Sequence, residues 1–171
     1  MGRWRPPQPD SSAYITAEGY TALQDEQKTL WKKRAVVVKA LAAAAAEGDR
    51  SENAEYIYRK KELAGIDRRI HYLQRRLPKL IVVHEFTRRD KIFFGAWVAL
   101  EHEDGTSIEY RIVGPDETAA ENNWISMDSP LAKALQKKER DDEIRVEIHG
   151  QIITYLVTGI RYADDSADQP S

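Results

Sequence analysis

No cysteine occurs in the 171 residues, which excludes a disulfide framework, a thiolate metal site and a thiol nucleophile. No apolar run approaches the ~20 residues needed to span a membrane. The opening "MGRWRPPQPDSSAY" has no apolar core, so it does not read as a secretory signal. Net charge is only -2, although Asp, Glu, Lys and Arg make up 32% of the chain. That balance argues against a basic nucleic-acid coat and against an acidic tail protein, while local polarity stays possible. The four histidines, His71, His84, His102 and His149, are scattered, and none stands at HxxxH spacing. Zinc is therefore not expected. Signatures of a helix-turn-helix, an RRM or a zinc finger are missing too, and with them sequence-specific reading of nucleic acid. The expectation is a soluble cytoplasmic protein of one or two domains, long enough to bury a proper core.

What is present is periodicity. Residues 1–14, with three prolines, read as a flexible tail. Thr16 is a candidate N-cap, and Glu18 follows in the first turn. Tyr20, Leu23, Gln27, Leu30, Arg34, Val37, Leu41 and Ala44 then alternate three and four apart. That is a coiled-coil seam with two polar interruptions. Gly48 ends the run. Tyr56, Arg59, Leu63, Ile66, Ile70, Leu73 and Leu77 repeat the pattern until Pro78 stops it. Two long helices so closely joined run antiparallel, each arm roughly 40 Å long at 1.5 Å per residue. Residues 15–79 are predicted to form this finger.

From Leu80 the period changes to two. "LIVVHEF", "KIFFGAWVALE", "TSIEYRIVG", "EIRVEIHG" and "QIITYLVTGIRYA" read as strands, with "EDG" and "HG" as turns. In "DSPLAKALQKK", Ser129 suits an N-cap, Pro130 suits the first helical position, and Leu131, Ala134 and Leu135 make one apolar face. Residues 80–163 are predicted to form a small α+β domain on an antiparallel sheet. Residues 164–171 read as a disordered tail.

The finger's end is chemically distinct. Ala42 to Ala46 keep it narrow, and Asp49 and Glu52 follow three apart. The pair suits a capping box, with Asp49 as cap and Glu52 reaching back. The other reading is two hard ligands for Mg²⁺, with Ser51 and Asn53 adding polar groups. Two carboxylates do not fill six coordination positions, so a complete site needs ligands from a partner. Behind the tip, eight basic residues between Arg59 and Lys79 face only Glu62 and Asp67. This is either a solvated helix face or a track for phosphates or an acidic partner.

Several blocks carry a resemblance. "GDRSENAEY" spans Gly48 to Tyr56; "YITAEGY", "KELAGIDRRIHYL", "KIFFGAWV", "YRIVG" and "ISMDSPLAKALQKK" lie in order across residues 14–162. The chain resembles the Gre transcript-cleavage factors, transcription elongation factors of bacterial RNA polymerase. Arg50 points to the GreB branch of that family. The resemblance implies an α+β chain: an N-terminal antiparallel coiled-coil hairpin, then an FKBP-like antiparallel-sheet domain with a short helix. It implies insertion of the finger into the polymerase secondary channel and Mg²⁺-dependent hydrolysis of backtracked RNA. Asp49 and Glu52 would be the catalytic pair, holding Mg²⁺ shared with the polymerase active site and bound only weakly by the free protein. Arg50, Ser51 and Asn53 would support them. A basic face of Arg59, Lys60, Arg68 and Arg69 would meet the nascent RNA 3′ end or polymerase, and Ser129, Pro130 and Leu131 are docking candidates. On this reading the protein is a monomer and a catalytic cofactor rather than an enzyme, and prolyl isomerase activity is not expected. The competing expectation is a regulator that occupies the same channel without cleavage.

Overall fold

The computed structural model describes residues 10–48 and 53–163. It divides into two compact units: Glu18–Leu80, and the residues from Ile81 onward joined by the segment ending at Ala17. The tails expected at residues 1–9 and 164–171 lie outside the described residues.

The first unit is the helical hairpin, α1 (Ala17–Ala46) and α2 (Ala54–Arg76). All eight seam positions read from α1 are buried or half-buried. Val37, Ile66 and Ile70 form its apolar centre, flanked by Leu30 and Leu63. Polar residues in and beside the seam cross-link the arms. Arg34 donates from Nε to Asp67 Oδ1 at 2.7 Å. Arg69 forks onto both oxygens of Glu26, at 2.6 and 2.9 Å. A bidentate pair such as Arg69–Glu26 tolerates little sliding, so it fixes the register that an all-apolar seam would leave looser. Pro78 falls in a 3-10 turn, Leu77–Lys79, that closes α2.

In the second unit, β1 (Tyr14–Thr16) and β2 (Ile81–Val83) form a parallel two-stranded ribbon. A five-stranded sheet follows from β3 (Trp97–His102), β4 (Ser107–Val113), β5 (Trp124–Ser126), β6 (Glu143–Ile148) and β7 (Gln151–Arg161). Its order is β5-β4-β3-β7-β6. Three of its pairings are antiparallel and β4–β5 is parallel, so the expected antiparallel sheet is a mixed one. Helix α3 (Pro130–Leu135) lays Leu131, Ala132 and Leu135 into one core with Val98, Leu100, Ile144, Val146 and Val157. The β6–β7 hairpin turns on His149 and Gly150, both at positive φ (51° and 78°), the geometry that matches strand twist in a two-residue loop.

Two expectations need correction. The stretch "KIFFGA" is not a strand before Trp97, because Gly95 adopts φ +87° and its bare Cα receives the Phe86 ring. Residues 10–14, read as tail, are held. The Ser12 N–H donates to Asp128 Oδ2 at 2.9 Å and its hydroxyl donates to Oδ1. β1 passes so close to Gly114 that a Cβ there would strike the Tyr14 carbonyl oxygen.

Thr16, the last residue of β1, donates its N–H (2.7 Å) and hydroxyl (2.6 Å) to the Glu117 carboxylate. Burial pushes the Glu117 pKa above its ordinary 4.5, and these two hydrogen bonds and Arg111 oppose the rise. A raised folded-state pKa means that the native chain holds this proton more tightly than the unfolded chain. The site therefore adds stability below pH 4.5, and that contribution is lost as pH rises through the folded value. Glu117→Gln should remove this component. The difference in melting temperature between variant and native chain should then change across the acid range just above pH 4.5 and stay flat near neutrality.

Candidate functional site at the hairpin tip

The two arms are joined through residues 49–52. Asp49, Arg50, Ser51 and Glu52, and with them the expected metal-binding pair, lie outside the described residues. The structure does define what holds both ends of that link. Helix α1 ends at Ala46, and Gly48 takes φ +133°. On the other side Asn53 is the N-cap of α2, with its backbone extended at φ -83° and ψ 101°. Its Oδ1 accepts the Tyr56 N–H at 3.1 Å, and its Nδ2 donates to the Ala44 carbonyl at 2.8 Å. One amide thus satisfies an orphan donor of α2 and a carbonyl near the end of α1. Ala44 is 3% exposed, and its methyl lets the arms come close enough for this bond.

This geometry corrects the capping-box reading. The cap of α2 belongs to Asn53, and the first helical turn contains Glu55, not Glu52. Asp49 and Glu52 are not what starts the helix. An aspartate at position 53 could still accept from Tyr56 but could not donate to Ala44. Asn53→Asp should therefore loosen the tip by about 1 kcal/mol, and Asn53→Ala by about 1–2 kcal/mol. Amide hydrogen exchange at Tyr56 and Ile57 should report the loss, with Ile66 to Leu73 unchanged.

The antiparallel arms bring the negative end of α1's dipole beside the positive end of α2's, so the two fields partly cancel at the link. Among the described residues, no group of three or more His, Asp or Glu could hold a metal ion.

The four basic residues chosen from the sequence do not share a face. Each helical residue advances about 100°, which sends Arg59, Lys60, Arg68 and Arg69 in different directions. Arg59 is tied down along its own helix, to Glu55 at 2.8 Å and Glu62 at 3.0 Å, and those bonds raise its pKa. Arg69 is occupied by Glu26. Lys60 and Arg68 are exposed. The stripe that the helix does present is Lys61, Arg68 and Arg75, all exposed and seven residues apart. The heptad spacing carried this signal, which a count of charges overlooks.

The three docking candidates also differ. Ser129 caps α3, accepting the Ala132 N–H at 3.2 Å. Leu131 is 7% exposed and belongs to the core, so it is not available as a surface contact. Only Pro130 is exposed.

The comparisons with known proteins bear on most of the chain. The N-terminal domain model of the GreA/GreB transcription elongation factors matches residues 13–82, and the C-terminal GreA/GreB model matches residues 87–162. A Xanthomonas axonopodis pv. citri protein called transcription elongation factor GreB is 54% identical over 166 residues, covering 95% of this chain and 99% of its own. Its namesake from Haemophilus influenzae is 53% identical, covering 88% of this chain and 97% of its own. Among solved structures, GreA factor homolog 1 of Thermus thermophilus is 23% identical, covers 87% of this chain and 98% of its own, and superposes with a TM-score of 0.42.

Proposed function

The chain belongs to the GreA/GreB family of transcription elongation factors, and from that premise we propose that it stimulates RNA polymerase to hydrolyse backtracked nascent RNA. The observation that carries the reading is the Asn53 clamp. It fixes Ala44 and the start of α2 against each other, on either side of the segment that contains Asp49 and Glu52. The cap of α2 is Asn53, outside that pair.

Asp49 and Glu52 would hold Mg²⁺ together with the polymerase. Their donor chemistry fits a hard cation, and two ligands of the six required fit a shared site rather than a private one. When bound there, Mg²⁺ supplies positive charge to the attacking and leaving oxygens of a phosphodiester. Arg50, Ser51 and Asn53 position this pair. The factor is on this reading a catalytic cofactor, acting as a monomer in the cytoplasm through the polymerase secondary channel. Pro130, at the start of α3, is the exposed member of the proposed docking segment.

The basic stripe supplies affinity. Lys61, Arg68 and Arg75 lie about 10 Å apart along α2, with no carboxylate at the two intervals between them on that line. Their replacement by Gln should weaken binding to stalled polymerase–RNA complexes and lower the salt dependence by up to about one unit of slope per lost phosphate contact. Saturating factor should restore the cleavage rate. Replacing Arg59 and Arg69 should instead lower the melting temperature of the hairpin, because their charges are spent within it. A deep cleavage defect at saturation would give the stripe a part in the chemical step. The reading as a whole is tested by adding the factor to stalled complexes: accelerated release of short 3′ RNA fragments is the expected result.

A further inference from the structure

The second unit contains a cavity of about 320 Å³ that the proposed function does not use. Its walls include Tyr14, Phe86, Phe93, Phe94, Met127 and Tyr162. The walls are built in place. Phe86 stacks on Tyr162 with ring centres 5.4 Å apart, and Tyr14 meets Phe94 at 6.0 Å. The Tyr162 hydroxyl donates to the Lys91 carbonyl at 2.7 Å and accepts the Phe93 N–H at 3.1 Å. The rim carries one charge of each sign, Glu85 and Arg88. Concave sites of this size, lined by aromatic rings with few polar groups, take compact apolar ligands. Aromatic-lined grooves in particular suit proline-rich segments, whose extended form costs little entropy to bind.

A segment of that chemistry is attached beside the cavity. Residues 1–9 read "MGRWRPPQP", with one indole, three proline rings and two arginines. The described chain begins at Asp10. Ser12 is fastened to Asp128, the neighbour of the cavity-lining Met127, and Tyr14 is itself a wall. From Asp10 back to Trp4 are six residues, a reach of about 19 Å in polyproline geometry. We propose that the cavity is a binding site for an aromatic and proline-rich peptide, and that its occupant is this chain's own Trp4–Pro9 segment. On this proposal the Trp4 indole fills the aromatic chamber, with Arg5 against Glu85.

The test uses the full-length chain labelled with 5-fluorotryptophan. Its four tryptophans give four ¹⁹F resonances, and Trp4→Phe identifies the one that matters. The expected result is a Trp4 signal shifted from free fluorotryptophan and shielded from a soluble paramagnetic quencher, independent of protein concentration. Phe94→Ser should return it to the free position, with Trp31, Trp97 and Trp124 as internal reports that the fold persists. If that variant does not fold, Pro6→Ser with Pro7→Ser tests the same contact from the ligand side and should produce the same loss of shielding. A Trp4 signal at the free position in the native chain overturns the proposal. So does shielding that appears only with rising concentration, which would mean a second copy's segment. Shielding that survives the cavity variant, or the paired proline variant, overturns it as well.

Discussion

A chain carrying Asp49→Asn and Glu52→Gln should bind stalled polymerase with nearly native affinity and yet lose RNA-cleavage stimulation by about a hundredfold or more. The magnitude follows from ligand chemistry. Loss of groups that merely orient metal ligands commonly costs 10- to 100-fold, and on the proposed function the charge that would hold the ion is itself removed. Binding should survive because the seam, the Lys61–Arg68–Arg75 stripe and the C-terminal unit are untouched. Stability should survive as well. The cap of α2 is Asn53, so the double variant removes no helix cap, and its melting temperature should match that of the native chain. This sharpens the experiment: a capping role would have cost about 1 kcal/mol, and none is expected. The measurement pairs thermal unfolding with a cleavage time course at saturating factor, repeated with added Mg²⁺, which should restore part of the rate. A folded, polymerase-bound double variant that cleaves at the native rate would end the catalytic assignment. It would leave a channel regulator without cleavage.

The second large effect is expected at Gly95. Its φ of +87° is a conformation that L side chains rarely adopt, and a Cβ there would collide with the Phe86 ring. The backbone strain alone amounts to roughly 1–2 kcal/mol. Phe86 cannot stay where it is. Its displacement breaks the stack on Tyr162 and exposes part of the core edge, for roughly another 1–2 kcal/mol. Gly95→Ala should therefore destabilise the C-terminal unit by about 3 kcal/mol, read by chemical denaturation with near-ultraviolet circular dichroism. The hairpin's helical signal should be far less affected, since its core is the separate Val37–Ile66–Ile70 cluster. A variant as stable as the native chain would show that Phe86 can leave this position at no cost.

What the sequence determined by itself was whatever repeats or is punctuated locally. The three-four alternation from Tyr20 to Leu77 specified the paired helices, because a helix can bury only residues that return to one side. Gly48 and Pro78 marked the ends of the arms, Ser129 and Pro130 marked the start of α3, and His149-Gly150 marked a tight hairpin. The tip motif, read with five further blocks, was enough to place the chain in its family.

Only the tertiary structure decided matters that depend on a partner distant in sequence. Asp49 and Asn53 are both good caps by residue type; the choice fell on Asn53 because its amide also reaches the Ala44 carbonyl across the hairpin. β1 and β5 are three residues each and pair in parallel, β1 with the remote β2 and β5 with the preceding β4, so neither shows enough alternation to be read alone. Arg69 looks like a surface charge until Glu26 of the other arm is brought beside it. Leu131 looks like a docking residue until α3 turns it into the core. In each case the residue's character was legible and its neighbour was not, since which carboxylate, carbonyl or strand edge lies within 3 Å is fixed by how the whole chain packs.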